Sequence, residues 1–333
     1  MPTKITILPS GRSFPSEGNS TLLEAGLHSG LALGYGCSNG NCGECLAKIV
    51  SGEVRKVGHH DYMISEEKST SGHVLMCCNS AVTDVVLEAP EAQSSEEIPR
   101  QQITARVRSI EIVNNDVALL HLKTPRTRRL RFLAGQQVKL GGDLLPTAIQ
   151  PISSCPCDDM NLHFQIARLA NDEFSDHIFN HLKKGDAINI DGPEGDFVLN
   201  ENSTRSLVFI AWHTGFAPVR SLIEHAMSLE KANSMQLVWM ARSKNDRYQD
   251  NLCRSWQDAF ENFEYLPIDA EPGDTKINTA STLKLLNIKT VDLDKYDFYI
   301  AGNGTFIKVY EQNPGWTFMT TPPVLGSEGE KRF

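Results

Sequence analysis

The sequence predicts a multidomain chain combining α+β and α/β architecture: a small mixed unit, an antiparallel β-barrel and a parallel α/β sheet. Three observations carry this. Residues 1–88 place short alternating strands around one capped helix. Residues 102–200 repeat strands and turn signals with a single helix between them. Residues 205–333 change to apolar strands separated by helices, the pattern of a parallel sheet. A length of 333 residues suits two or three domains.

The elements follow in order. Lys4-Ile5-Thr6-Ile7-Leu8 alternates as a half-buried strand does. Ser20 to Leu27 reads as a short helix capped by Ser20 or Thr21. Leu46 to Val50 and Gly52-Glu53-Val54 read as a hairpin, and Val82 to Leu87 closes the sheet. Residues 89–101 are polar, hold Pro90 and Pro99, and read as a linker. In the barrel, strands fall at Ile103–Val107, Val117–Leu122, Gln137–Leu140, Leu162–Ala167 and Ala187–Ile190, with a helix from about Ser175 to Leu182. The last unit gives strands at Leu207–Ala211, Met235–Met240, Phe263–Ile268 and Asp297–Gly302, and helices at Pro218–Ser228 and Asn251–Phe260. After Tyr310 the chain runs through Pro314-Gly315-Trp316 and Pro322-Pro323 with no clear helix or final strand.

Four cysteines carry the chemistry. Cys37, Cys42 and Cys45 form a C-x4-C-x2-C run, and Cys77 follows 31 residues later. This is the plant-type spacing in which four thiolates hold a [2Fe-2S] cluster. Sulfurs bridging two irons need backbone N–H groups turned toward them, and Gly36, Gly40 and Gly43 supply the freedom for such a wrap. Zinc sites favour two C-x2-C pairs, and only one is present. Strands around one helix with a loop-borne cluster make a β-grasp ferredoxin unit.

The bulk numbers bound the rest. The net charge of −9 disfavours nucleic acid and suits docking to a basic patch on a redox partner. No apolar run reaches the 18 or so residues of a membrane span, and Met1 to Phe14 reads as a strand rather than a signal peptide. With half of the eight cysteines assigned to a cluster, the chain reads as cytoplasmic.

Several motifs resemble the ferredoxin–NAD(P)H reductase superfamily. Gly192-Pro193-Glu194-Gly195-Asp196-Phe197 is similar to its G-P-x-G-x-F turn, and Thr214-Gly215-Phe216-Ala217-Pro218 to its T-G-x-A-P step into a helix. Arg242 through Tyr248 resembles its R-x-x-x-D-x-Y region. The order of units is that of the single-chain reductases of bacterial oxygenases and of CDP-6-deoxyhexose biosynthesis. The resemblance spans about residues 3–310. It implies an FAD-type barrel, an NAD-type sheet, and electrons passing from NAD(P)H through FAD and the cluster to an oxygenase or similar iron–sulfur enzyme. It also implies cofactor contacts at Ser154, Ser175, Gly192, Gly195, Thr214 and Gly215.

The resemblance breaks at the cofactor positions. The family's R-x-Y-S-x-x-S flavin motif aligns with Ala148-Ile149-Gln150-Pro151-Ile152-Ser153-Ser154, matching only at Ser154. Its phosphate turn becomes Asp172-Glu173-Phe174-Ser175, where two carboxylates would repel a diphosphate. Gly-Gly-Thr-Gly becomes Trp212-His213-Thr214-Gly215, and Cys-Gly-Pro-Pro becomes Ala301-Gly302-Asn303-Gly304.

Two readings follow. In one, the chain is an NAD(P)H-dependent flavin and iron–sulfur oxidoreductase with divergent motifs. Losing one arginine–phosphate contact, about 1.5–3 kcal/mol, weakens FAD without forbidding it. In the other, the chain is a flavin-free iron–sulfur carrier or complex subunit, Trp212 fills the cleft, and the reductase-like body is a docking scaffold. Cys78 is an alternative cluster ligand to Cys77. Cys155 and Cys157 are a strained choice for a disulfide. His59-His60-Asp61 reads as a polar loop near the cluster, His213 as structural, and Arg126, Arg128, Arg129 and Arg131 as a solvated basic face. Arg242 and Lys244 would suit a 2′-phosphate.

Overall fold

A computed structural model describes residues 2–143, 145–229, 233–271 and 277–322. The predicted third unit reaches Phe333, so Pro323 and the residues after it lie outside the described residues.

The N-terminal unit runs β1 (Thr3–Leu8), β2 (Arg12–Ser16), α1 (Leu22–His28), β3 (Leu46–Ser51), β4 (Val54–Lys56), α2 (Glu66–Thr70), β5 (His73–Leu75), β6 (Asn79–Ala81) and β7 (Val85–Glu88). Its sheet has the order β2-β1-β7-β3-β5, with β1 and β7 parallel. The alternation of β1 buries Ile5 and Ile7 against Leu22 and Leu23 of α1. Thr21 and Glu24 close a capping box that satisfies two of the orphan N–H groups at the start of α1. The expected hairpin at residues 46–54 is corrected: β3 pairs with β5 and β7, while β4 pairs with β6. Gly52, at φ 92°, lies so close to the Asp84 carbonyl that a Cβ would sit 2.2 Å from it. The chain turns away there instead of folding back.

The barrel comprises β8 (Gln101–Val113), β9 (Val117–Lys123), β10 (Gln137–Gly141), β11 (Ala148–Pro151), β12 (Asn161–Ala167), α3 (Glu173–Asn180) and β13 (Ala187–Glu194). Its antiparallel order is β11-β10-β13-β8-β9-β12. The ends nearly meet where Ser153 N–H donates to the His163 carbonyl at 2.8 Å. Ile103, Ala105 and Val107 point inward at period two and meet Leu120, Leu140 and Phe164 in one core.

The C-terminal unit comprises β14 (Ser206–Trp212), α4 (Phe216–Leu229), β15 (Met235–Ala241), α5 (Asp250–Ala259), β16 (Phe263–Asp269), α6 (Thr279–Leu285), β17 (Tyr296–Gly302), α7 (Gly304–Lys308) and β18 (Thr317–Thr320). The sheet, β16-β15-β14-β17-β18, is parallel throughout. Leu207, Phe209 and Ala211 face one core and Val208, Ile210 and Trp212 the other. Burial on both faces explains the unbroken apolar run. The final strand missing from the sequence reading is present as β18. Its four residues are too few to show a period, and Trp316 anchors it by stacking on Phe298 at 4.0 Å.

The three units abut. Residues 89–92 continue along the N-terminal unit, with Gly34 N–H bonded to Pro90 and Ala92 N–H to Ala32. Arg12 bridges Glu91 and Glu201, each at 2.7 Å. Arg129 N–H donates to the Gly36 carbonyl, tying barrel to cysteine loop. No helix among the described residues is long and apolar enough to cross a membrane.

Candidate functional site

The four predicted thiols form two pairs. Cys37 and Cys42 exchange backbone bonds: Cys42 N–H reaches the Cys37 sulfur at 3.3 Å and Cys37 N–H the Cys42 sulfur at 3.4 Å. Asn41 N–H also donates to Cys37, and Glu44 N–H to Cys42. Cys45 and Cys77 bring their sulfurs within 3.2 Å. Among the described residues, no three His, Cys, Asp or Glu converge on a single metal ion. Two pairs suit two irons.

The electrostatics favour thiolate at one member of each pair, Cys37 and Cys45, while burial pushes Cys42 up. Burial pushes Cys37 up, but the N–H groups of Asn39, Asn41 and Cys42 outweigh it and hold the thiol below its ordinary value. The hydrogen bond with Cys77 lowers Cys45 to about 7, and the same bond with Cys45 pushes Cys77 up. The pair therefore loses its first proton at Cys45. Anionic sulfurs ringed by backbone N–H groups are what a [2Fe-2S] cluster requires, and these residues fit it.

The loop is shaped by close approach. Gly40 (φ 84°) and Gly43 (φ 83°) adopt the left-handed region, and so does Ser38 at φ 53°. Gly36 does not: a Cβ there would strike the Glu44 carboxylate at 2.8 Å, so its glycine makes room rather than a turn. A Cβ on Gly43 would lie 2.3 Å from the Tyr62 ring, which covers the loop. His59 and Asp61 are exposed, at 84% and 74% of their side-chain surface. From beneath, Tyr35 is capped by Asp159, which pairs with Arg129 at 2.7 Å, while Arg131 lies over the Tyr35 ring at 5.9 Å. The expected solvated basic face is thus corrected for Arg129 and Arg131, which bind the N-terminal unit; Arg126 and Arg128 remain exposed.

Among the residues expected to hold a flavin, Ser154 and Ser175 spend their polar groups on the protein itself. Ser154 Oγ accepts from His163 N–H, and Ser154 C=O from Ser221 Oγ. Ser175 is spent locally as well: its Oγ bonds Leu169, and its N–H is taken by the Asp172 carboxylate that caps α3. Gly192 and Gly195 shape the end of β13, where the Gly195 carbonyl accepts from Gln136. Gly215 packs its turn onto β17, with a Cβ position 2.1 Å from the Ala301 carbonyl. Thr214 faces Gln150, Pro151, Thr321 and Pro322 across a cavity of only about 10 Å³.

A wider cleft of about 630 Å³ opens beside the start of α3, lined by Arg168, Asp172, Ser175, Asp176, His177 and His181. Arg168 is the residue that sequence reasoning missed. It stands at the end of β12, outside the quoted motifs, and stacks over Phe179 at 4.1 Å. It offers one cation against the carboxylates of Asp172 and Asp176.

The nicotinamide side is filled. Trp212 is buried against Phe306, with ring centroids 5.6 Å apart, and also packs on Gly302. His213 is 2% exposed, sits at φ 47°, and has neither ring nitrogen paired. Burial pulls its pKa down to about 4, so its ring is neutral. Arg242 is committed to Asp116 at 3.0 Å and to Asp246. The side chains present therefore do not supply the flavin-ring and nicotinamide contacts that the resemblance implies. Cys155 and Cys157, expected as separate thiols, are joined in a disulfide with Cα atoms 5.2 Å apart.

Comparisons with known proteins divide the chain in the same order. Residues 5–83 match the 2Fe-2S iron-sulfur cluster binding domain, residues 104–199 the oxidoreductase FAD-binding domain, and residues 209–312 the oxidoreductase NAD-binding domain. The chain is 29% identical over 307 residues to the CDP-6-deoxy-L-threo-D-glycero-4-hexulose-3-dehydrase reductase of Yersinia pseudotuberculosis, covering 91% of each. It is 27% identical to reductase component 1 of terephthalate 1,2-dioxygenase from Comamonas sp., covering 81% of this chain and 82% of that one. In fold it is similar to the crystal structure of an Amycolatopsis cytochrome P450 reductase, with a TM-score of 0.58 and 22% identity over 96% of this chain and 98% of that one.

Proposed function

We propose that this chain, a [2Fe-2S] protein of the ferredoxin reductase type, passes electrons one at a time through its cluster to a protein partner. The observation that carries the reading is the pair of thiol pairs, Cys37 with Cys42 and Cys45 with Cys77, the first of them ringed by backbone N–H groups. These four cysteines are assigned as the cluster ligands. Backbone N–H groups help to hold Cys37 and Cys45 below the ordinary thiol value, and the Arg129–Gly36 bond fixes the loop against the barrel. The cluster supplies reversible one-electron chemistry.

The FAD-binding and NAD-binding matches support NAD(P)H as electron source and FAD as the group between it and the cluster. The dioxygenase and hexulose-dehydrase systems served by the relatives support an oxygenase component or a similar iron–sulfur enzyme as acceptor. A cytoplasmic setting accords with the assignment of four of the eight cysteines to a cluster rather than to disulfides.

The closed cleft at Thr214 and the buried Trp212 favour a second reading, a flavin-free carrier whose reductase-like body is a scaffold for docking. Denaturing the purified protein and assaying released flavin separates the two. Stoichiometric FAD, or its uptake from excess, supports the reductase and discards the scaffold. Neither bound FAD nor uptake discards the reductase.

A further inference from the structure

We propose that Cys78 is a reserve ligand of the cluster, placed to bind the iron held by Cys45 and Cys77 when Cys77 is lost. The inference rests on the [2Fe-2S] reading. Cys78 is buried and its sulfur lies 3.6 Å from that of Cys77. On a tetrahedral metal with sulfur bonds of about 2.3 Å, two thiolates sit roughly 3.7 Å apart. The Cys77–Cys78 separation therefore matches that of two sulfurs able to reach one metal. Adjacent side chains in a single helical turn normally diverge, and these two converge instead.

The surroundings hold the sulfur in place. Val57 and Gly58 both donate backbone N–H groups to the Cys78 carbonyl. Gly40, in the middle of the cysteine loop, leaves space for the thiol, since a Cβ there would lie 2.8 Å from the Cys78 sulfur. Cys78 thus faces the loop that carries the ligands as well as its neighbour. In the unaltered chain its S–H points to the His59 carbonyl at 3.5 Å. When Cys77 is replaced, the Cys78 thiol releases its proton to solvent as its sulfur bonds the iron left one ligand short. Iron and sulfide keep their oxidation states, so no oxidant or reductant is needed.

The test compares the unaltered protein with Cys77→Ala and Cys77→Ala/Cys78→Ala, purified without oxygen. Iron, acid-labile sulfide and the electron paramagnetic resonance spectrum of the reduced protein are measured, with far-ultraviolet circular dichroism as the check on folding. Cys77→Ala is expected to keep about half or more of the wild-type iron with an altered spectrum, and the double variant to fall to roughly a tenth. Equal loss in the folded single and double variants overturns the proposal. Cys77→Ser, which preserves size and polarity, is the second variant. An all-thiolate spectrum from it supports the proposal, and a mixed oxygen and sulfur signature overturns it. A cluster in the unaltered protein that vanishes in Cys77→Ala overturns only this inference. Absence of any cluster from the unaltered protein overturns the reading beneath it.

Discussion

Cys45 and Cys253 show how the same residue type does two jobs. Cys45 meets another thiol at 3.2 Å in a loop rich in inward N–H groups. Cys253 is fully buried among Phe216, Trp239 and Trp256, where burial pushes its thiol up. Free cysteine there behaves as a small apolar filler. Cys45→Ser is expected to remove most of the iron, whereas Cys253→Ser keeps it and costs stability of about 1–3 kcal/mol through a buried hydroxyl. Iron analysis and thermal melts of the two variants check this. His213 makes a pH-dependent contribution. Its pKa falls from 6.5 to about 4 on folding, so between those values the unfolded chain takes up a proton that the folded chain refuses. Stability is therefore retained above pH 6.5 and falls as the pH drops to 4, by roughly 3 kcal/mol for this residue. His213→Asn, which tolerates the positive φ, should flatten that part of the stability curve. Denaturant melts from pH 7 to 4 read the slope.

At the scale of elements, the docking of the cysteine loop on the barrel rests on few contacts. Arg129 and Asp159 pair at 2.7 Å with side chains 17% and 4% exposed, and Asp159 also faces the Tyr35 hydroxyl. Asp159→Ala leaves the guanidinium without its buried partner. Loss of one member of such a pair costs about 3–5 kcal/mol. A drop of that order in unfolding free energy, with faster proteolysis between the N-terminal unit and the barrel, is the expected outcome. This contact was not legible in the sequence, because Tyr35, Arg129 and Asp159 lie far apart in the chain and no short-range pattern joins them. Arg168 escaped notice because it belongs to none of the motifs that were matched. The misread hairpin at Gly52 and the missed β18 have local causes: a close approach that only tertiary structure reveals, and a strand shorter than its own period. Legible from the start were the long apolar strands β14, β15 and β17, where burial on both faces leaves an unbroken signal, and a cap of α1 at Ser20 or Thr21, of which the structure uses Thr21.

Across the whole molecule the two halves differ in kind. The cysteine loop keeps its spacing, and the structure closes it into two thiol pairs with N–H groups aimed at the sulfurs. That site was readable because its ligands lie close in sequence and its chemistry allows little substitution. The cleft behind it keeps the fold of a flavin- and nicotinamide-binding body while its contact residues are spent on each other. Ser154 and Ser175 matched a motif, yet their hydroxyls serve strands and caps, which a sequence match cannot distinguish from ligand contacts. In the proposed function, electrons pass through a cluster at Cys37, Cys42, Cys45 and Cys77. The most direct measurement is iron, acid-labile sulfide and zinc in the protein purified without oxygen. Iron and sulfide are expected in a one-to-one ratio, about two of each per chain, as this cluster type requires. Zinc in place of iron, or iron without sulfide, would contradict it.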